Sequence, residues 1–206
     1  MVLIESTDLG KARMVQYTSR DVAETGSINV VTGILMDYRG FDTFGEAMVI
    51  LASVAATAMI LGTPRTPHSK RRLGLLARRA LSAMLPLFFV FPIYVILFGH
   101  LSPGGGFQGG VSLAVVVILI HVTFGHRFGQ SRLPLKLLST TEYVAALTFG
   151  SIGLLGIATG SAYLSNALIN QLPGAGVIPV LNVVVGIKVA AGLSVIYLYL
   201  SGEDAL

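Results

Sequence analysis

Long apolar stretches alternate with short polar stretches along most of the chain. An α-helix rises 1.5 Å per residue, so about 20 residues cross the hydrocarbon core of a bilayer, which is about 30 Å thick. Five apolar stretches, taken with their flanking residues, approach that length. They cover residues 44–61, 81–98, 111–124, 142–160 and 178–200. The pattern predicts an all-α, polytopic membrane protein with about five transmembrane helices.

Another apolar stretch, residues 27–36, is too short to cross a bilayer. As a helix of about ten residues it would cover about 15 Å. It predicts a short interfacial or re-entrant helix near the N-terminus.

The polar stretches predict how the chain is divided. We expect a polar N-terminal segment (1–26), a module with the short helix and one transmembrane helix (27–62), a basic linker (63–80) and a four-helix transmembrane module (81–206). Short basic loops stay on the cytoplasmic side of a membrane. A second basic loop, residues 126–136, falls on the same side when five spans alternate. We therefore expect a multi-pass protein of the cell membrane with both basic loops and the C-terminus in the cytoplasm.

The composition agrees with a membrane protein and restricts its chemistry. Hydrophobic residues make up 53% of the 206 residues and charged residues 12%, whereas soluble domains carry about 25% charged residues. The spans leave no room for a soluble catalytic domain, so we expect no enzymatic activity here. The absence of cysteine excludes disulfides, thiolate-ligated zinc and cysteine-bound iron–sulfur clusters.

Two further expectations follow from the same counts. The four histidines are scattered along the chain, so no metal site and no cofactor are expected in it. The net charge is +4, but the positive residues cluster in the two loops. Topology explains that clustering, so the expected surroundings are a lipid bilayer and not nucleic acid.

A glycine-rich stretch lies between the second and third predicted spans. It reads His-Leu-Ser-Pro-Gly-Gly-Gly-Phe-Gln-Gly-Gly over residues 100–110. Its structural residues are Pro103, Gly104, Gly105, Gly106, Gly109 and Gly110. The letters match a dinucleotide-binding signature, but the required strand and acidic residue are missing. Glycine also permits positive φ and close approach of two backbones, so we expect a packing or ion site where two membrane helices meet.

This stretch resembles the hallmark of the B subunit of Mrp-type multisubunit cation/proton antiporters, shared with the related subunit of membrane-bound respiratory hydrogenases. A second stretch, Asp-Tyr-Arg-Gly-Phe-Asp-Thr-Phe-Gly-Glu at residues 37–46, is similar to the C-terminal extension of the large Mrp A subunit. The same stretch is similar to a small separate hydrogenase subunit. The chain thus resembles a fusion of an A-type extension with a B-type module.

The resemblance implies an accessory membrane subunit of a Mrp-type antiporter module. Such a subunit would help form a sodium or proton path with partner subunits of the A/D-like, C, E, F and G-like types, with Na⁺ as the transported ion. The alternative is a structural membrane-anchor subunit of a respiratory hydrogenase-like complex, in which hydrogenase-like subunits are the partners and carry any redox activity.

Lys188 is the sharpest candidate for ion transfer. It lies about ten residues inside the fifth span, at a depth of about 15 Å. A lysine at the centre of a membrane helix costs about 2.5–3.5 kcal/mol. We expect a polar partner that offsets this cost, either a carboxylate in this chain or a neighbouring subunit, or water. The alternatives are a proton path and a static ion pair.

Two glutamates are candidates with a structural alternative. Glu46 and Glu142 each follow a Thr or Ser by three residues, as in a capping box at the start of a helix. Asp42 lies one turn before Glu46, so the two acids could share a proton or attract a cation. Glu142 could instead lie at the cytoplasmic mouth of a proton route.

Two histidines complete the candidates for a proton path. His121 lies about one turn from the end of the third span, and an ordinary pKa near 6.5 suits histidine to proton relay. The alternative is a histidine hydrogen-bonded between helices. His100 opens the glycine-rich stretch, where it would either stabilise the turn or take up protons.

Overall fold

The computed structural model describes residues 22, 24–62, 73–158, 163–164 and 175–201. Within these ranges all regular structure is helical, and five helices are long and apolar enough to span a membrane. The predicted all-α architecture with five spans is confirmed. Most of the predicted polar segment 1–26 and the linker residues 63–72 lie outside the described residues.

A short helix precedes the five long ones. Helix α1, Val30–Gly33, runs directly into a π-helical turn, Ile34–Tyr38. The long helices are α2 (Gly40–Leu61), α3 (Leu75–Leu97), α4 (Gly106–Phe124), α6 (Leu135–Ala158) and α7 (Ile178–Ser201), and a short helix α5 (His126–Arg132) precedes α6. The N-terminal helix is therefore too short to span, as predicted.

Four long helices begin earlier than the apolar pattern predicted. Helix α2 begins at Gly40, α3 at Leu75, α4 at Gly106 and α6 at Leu135, whereas the apolar stretches begin at residues 44, 81, 111 and 142. Hydropathy marks where the chain enters the hydrocarbon, but backbone hydrogen bonds continue the helix beyond that depth. Part of each predicted basic loop is consequently helical.

Helix α7 is the centre of the bundle. It packs against α2, α3, α4 and α6, and Leu181, Val189, Val195 and Leu198 on it are fully buried. Helix α4 approaches α7 very closely, because a Cβ on Gly110 would lie 2.7 Å from the carbonyl oxygen of Gly186. Lipid supplies no hydrophobic drive between helices, so small residues that allow such contact hold membrane helices together.

The glycine-rich stretch forms a tight turn between α3 and α4, and α1 holds that turn. The side-chain amide of Asn29 donates to the carbonyl oxygens of Gly99 at 2.8 Å, Ser102 at 2.9 Å and Gly104 at 3.3 Å. The Thr32 hydroxyl also donates to the Gly99 carbonyl, at 2.9 Å. Backbone carbonyls of the turn thus find their donors on Asn29 and Thr32 of the N-terminal module.

Two adjacent glycines also give the turn its shape. Gly104 and Gly105 have φ of +157° and +151°, and a Cβ on Gly105 would lie 2.9 Å from Oε1 of Gln108. The next residue, Gly106, begins α4, and its N–H donates to Oδ1 of Asn182 on α7 at 3.1 Å. The glycine-rich stretch therefore acts as a packing site that joins α1, α4 and α7.

Candidate functional site

A buried ion pair lies where α2, α6 and α7 meet. Nζ of Lys188 lies 3.6 Å from Oε1 of Glu142, and the two side chains are 2% and 0% exposed. Nζ also donates to the backbone carbonyl of Ala47 on α2. The partner that Lys188 requires is therefore a carboxylate of this chain.

A glycine makes room for this pair. Gly192 follows Lys188 by one turn of α7, so the two positions share a face. A Cβ on Gly192 would lie 2.8 Å from Oε1 of Glu142 and 2.8 Å from Cγ2 of Ile50 on α2. Any side chain here would displace the carboxylate, so Gly192 helps to position the pair as well as to pack the helix.

The pair is incompletely satisfied. Neither carboxyl oxygen of Glu142 has a hydrogen-bond partner among the residues that the structure describes. A carboxylate normally accepts several hydrogen bonds when it is buried. At 3.6 Å the ammonium of Lys188 still attracts the carboxylate of Glu142. This distance is longer than the N–O distance of a charge-assisted hydrogen bond. Glu142 therefore retains the capacity to accept a further donor or a cation.

Apolar clusters enclose the pair on both sides along the helix axes. Toward one end, the Phe44 and Phe149 rings stack with centroids 6.0 Å apart, and Tyr163 meets Phe44 edge-on at 5.9 Å. Toward the other end, Leu138 packs with Val54, Val195 and Leu198. The low dielectric of these surroundings strengthens the electrostatic interactions of the pair.

The capping-box interpretation of Glu142 is wrong. Helix α6 begins at Leu135, so Glu142 lies about two turns inside it. A capping glutamate must lie in the first turn, where free N–H groups are available. The interior position lets the side chain point across the bundle to Lys188.

The capping-box interpretation of Glu46 is wrong for the same reason. Helix α2 begins at Gly40, and the hydroxyl of Thr43 donates to the carbonyl of Leu35 at 2.6 Å. Glu46 is exposed on this chain. It does not belong to the buried ion pair.

Asp42 is also on the surface. Its Oδ2 lies 2.6 Å from the Arg39 guanidinium, and the two side chains are 51% and 62% exposed. Asp42 thus forms an ion pair with Arg39, whereas the sequence predicted that it would act together with Glu46. These two acids lie apart from the Lys188 site, on a surface of α2 that is open in the single chain.

The two candidate histidines lie near opposite ends of α4. His121 is 3% exposed, and its Nδ1 lies 2.8 Å from the carbonyl oxygen of Val117 in the same helix. Its Nε2 has no hydrogen-bond partner within the described ranges, so the predicted hydrogen bond between helices is not found there. His100 lies in the glycine turn, where its backbone carbonyl accepts from the Asn29 N–H at 3.0 Å. Burial lowers the pKa of His100, and a hydrogen bond with the Leu97 backbone opposes this.

Sequence reasoning missed two asparagines that organise the site. Asn29 binds the glycine turn, and Asn182 is fully buried beside the start of α4. The signal for Asn182 was available, because an amide within an apolar span requires a partner. Asn29 carried no comparable signal, since its partners are backbone carbonyls that lie about 70 residues along the chain.

Comparisons with known proteins identify both parts of the chain. Residues 76–195 match the model of the domain related to the MnhB subunit of the Na⁺/H⁺ antiporter. Residues 5–69 match the model of the E subunit of MBH.

Two relatives support these matches. An uncharacterised protein of Methanocaldococcus jannaschii is 32% identical over 212 residues, which covers 86% of this chain and 79% of the relative. A probable A/B subunit of a K⁺/H⁺ antiporter from Rhizobium meliloti is 29% identical over 195 residues, which covers 79% of this chain and 19% of the relative. This chain therefore corresponds to a minor part of the Rhizobium protein.

Two solved structures are similar to the whole fold. A chain of the membrane-bound sulfane sulfur reductase, an archaeal respiratory membrane complex, aligns with a TM-score of 0.77 and 26% identity over 97% of this chain and 94% of that chain. A chain of the Mrp complex from Dietzia sp. aligns with a TM-score of 0.75 and 21% identity over 93% of this chain and 23% of that chain. Both resemblances noted in the sequence are confirmed, and the chain belongs to the family of proteins built on the domain related to the MnhB subunit of the Na⁺/H⁺ antiporter.

Proposed function

We propose that this chain is an accessory subunit of a Mrp-type multisubunit antiporter module and that Lys188 and Glu142 form part of its cation or proton path. The observation that carries the proposal is the buried, incompletely hydrogen-bonded ion pair between α6 and α7. Ionisable groups inside a membrane are expensive to bury and commonly mark ion pathways. The membership of the antiporter-related family supports the same function.

The geometry supports a displacement of charge within the pair. A proton or Na⁺ that arrives at a free oxygen of Glu142 neutralises the carboxylate and weakens its attraction to the ammonium of Lys188. Lys188 then exchanges its proton with a further acceptor supplied by water or a partner subunit. Glu142 binds the incoming cation, Lys188 releases one proton in exchange, and Gly192 leaves room for the carboxylate.

The path is completed by other subunits. In the single chain, large apolar side chains such as Phe91 and Leu147 are exposed along the membrane helices, so these faces contact lipid or neighbouring subunits. Asp42 and Glu46 lie on such a surface, where a partner subunit of the antiporter would bury them. We place the basic loops and the C-terminus in the cytoplasm of a cell-membrane complex, and we assign any redox chemistry to other subunits.

Two substitutions at the pair test the proposal in the purified complex, reconstituted in proteoliposomes. Lys188→Arg keeps the positive charge, but a guanidinium does not release its proton in proteins. Glu142→Gln removes the negative charge at nearly constant volume. We expect both complexes to assemble and to lose most of their Na⁺-dependent proton movement, measured with a pH-sensitive dye in the lumen.

The matched control is Ser194→Ala on the same helix. Ser194 is fully buried but donates only to the Ala190 carbonyl of its own helix, at 2.6 Å, so transport should remain near that of the wild type. Wild-type transport by the Lys188→Arg complex would overturn proton transfer through Lys188.

A second candidate function is a structural anchor in a respiratory membrane complex. It is favoured by the alignment with the sulfane sulfur reductase chain, which covers nearly all of both chains. In that case the ion pair is static and joins α2 to α6 and α7. Lys188→Arg would then assemble and retain transport, because it keeps a positive charge beside Glu142.

A further inference from the structure

Exposed basic side chains gather at the end of the bundle where α3 begins, α4 ends and α6 begins. Arg78 and Arg79 lie at the start of α3, Arg132 ends α5, and Lys136 lies at the start of α6. The sequence has no aspartate or glutamate from residue 47 to residue 141. Within the described ranges, none of these four side chains forms an ion pair with a carboxylate. Their positive charge therefore attracts an anion from outside the described part of the chain.

Two of these arginines stack on aromatic rings. The guanidinium of Arg78 lies over the Phe124 ring, 5.7 Å from its centroid, and that of Arg132 lies over the Phe128 ring at 5.9 Å. The two rings are neighbours, with centroids 5.1 Å apart. A guanidinium that stacks on a ring is held by its face, so the N–H groups at its edge stay available to donate. The two arginines thus present their donors above one aromatic base.

The cluster lies at the depth of lipid headgroups. Helix α3 has 23 residues, so it is about 34 Å long, whereas the hydrocarbon core is about 30 Å thick. The start of α3, with Arg78, therefore reaches the edge of that core. The neighbouring surface is apolar, because Leu76 on α3 is 84% exposed and Phe128 on α5 is 43% exposed. Phosphate groups and acyl chains meet at this depth.

We propose that Arg78 and Arg132, stacked on Phe124 and Phe128, bind the phosphate of an anionic phospholipid whose acyl chains lie on the exposed apolar side chains of α3. A guanidinium donates two parallel hydrogen bonds to a phosphate, and basic residues beside membrane helices attract anionic lipids. Retention of a basic loop on one side of the membrane needs only its charges. The stacking of two arginines on adjacent rings is the further feature that fits a bound phosphate.

The test is lipid binding by the purified complex that contains the full chain. The complex is delipidated in a neutral detergent and titrated with phosphatidylglycerol, and native mass spectrometry counts the bound lipid. We expect the double variant Arg78→Gln with Arg132→Gln to lose one phosphatidylglycerol per chain, or to bind it about tenfold or more weakly. Phosphatidylcholine, which has no net charge, should bind equally weakly to the variant and the wild type. The measurement does not depend on the proposed ion path, because no residue of the buried pair belongs to the cluster.

The double variant Arg79→Gln with Lys136→Gln is the charge-matched control. It removes two positive charges from the same end of the bundle, but neither side chain stacks on a ring among the described residues, so the lipid should remain bound. Its loss to the same extent as in the arginine variant would overturn the proposal, because only net charge would then matter.

A second arginine variant tests the site even if the first fails to assemble. Arg78→Lys with Arg132→Lys keeps both charges but loses the planar donor groups that match a phosphate. We expect it to assemble and to bind phosphatidylglycerol several times more weakly than the wild type. Binding equal to that of the wild type would overturn the proposal, and an acidic segment of a partner subunit would then be the occupant of this surface.

Discussion

Helix α6 buries its glutamate completely, whereas α2 exposes both of its acids. Glu142 is 0% exposed beside Lys188, but Asp42 is about half exposed and Glu46 is on the surface. The chain buries the first carboxylate with its counter-charge, whereas Asp42 pairs with Arg39 at the surface and Glu46 is left to solvent or to neighbouring subunits. The difference predicts large effects on stability at the buried pair and small effects at the surface acids.

The largest effect is expected for Lys188→Met. Removing one partner of a buried ion pair costs about 3–5 kcal/mol, because the remaining charge has no compensation. We expect a strongly lowered thermal stability of the purified complex. Adding Glu142→Gln should recover most of the loss, since both charges are then gone. Equal stability of the single and double variants would show that the two side chains are not coupled.

An intermediate effect is expected for Gly192→Ala. The new methyl group would lie 2.8 Å from both Oε1 of Glu142 and Cγ2 of Ile50, and such overpacking costs about 1–3 kcal/mol. Gly150→Ala is the control, because its nearest neighbour, Cε2 of Phe44, would be 3.4 Å away. Thermal unfolding should distinguish the two variants. A Gly192→Ala complex as stable as Gly150→Ala would contradict the role assigned to Gly192.

The smallest effect on stability is expected for Asp42→Asn and Glu46→Gln. An exposed ion pair such as Arg39–Asp42 contributes only about 0.2–1 kcal/mol, and Glu46 is exposed on the same helix. The melting temperature should therefore change little in either variant. Transport should nevertheless fall if a partner subunit buries these acids along the ion path. If Asp42→Asn or Glu46→Gln lost as much thermal stability as Lys188→Met, the predicted difference between the buried pair and the surface acids would be wrong.

The architecture could be predicted from the sequence because apolar runs of sufficient length specify membrane helices. The helix starts could not, since α3 continues through Arg78 and Arg79, whose charged ends can reach water while the backbone remains helical. Hydropathy records the preference of side chains for lipid, not the position of the first backbone hydrogen bond.

The site was predictable in part. Lys188 is evident because it interrupts an apolar run, and its need for a partner follows from the cost of burial. Glu142 lies at the border between polar and apolar residues, where a local capping interaction gave a sufficient explanation. Only the packing of α6 on α7 identifies it as the partner.

The contact between His121 and His126 could not be predicted from spacing alone. The two residues are five positions apart, so a continuous helix would place them on different faces. Helix α4 ends at Gly125, where φ is +92°, and the two rings have centroids 5.7 Å apart. The end of the helix at Gly125 therefore makes the two rings neighbours.

The contacts of α1 with the glycine turn have a consequence for how this protein assembles. Asn29 and Thr32 reach across with a few polar contacts, which alone would hold two separate polypeptides only weakly. Within one polypeptide, a short tether raises the effective concentration of such modules to the millimolar range. Covalent linkage also fixes the ratio of the two modules at one to one. Each copy of the antiporter-related domain therefore has its own Asn29 and Thr32 bound to the glycine turn.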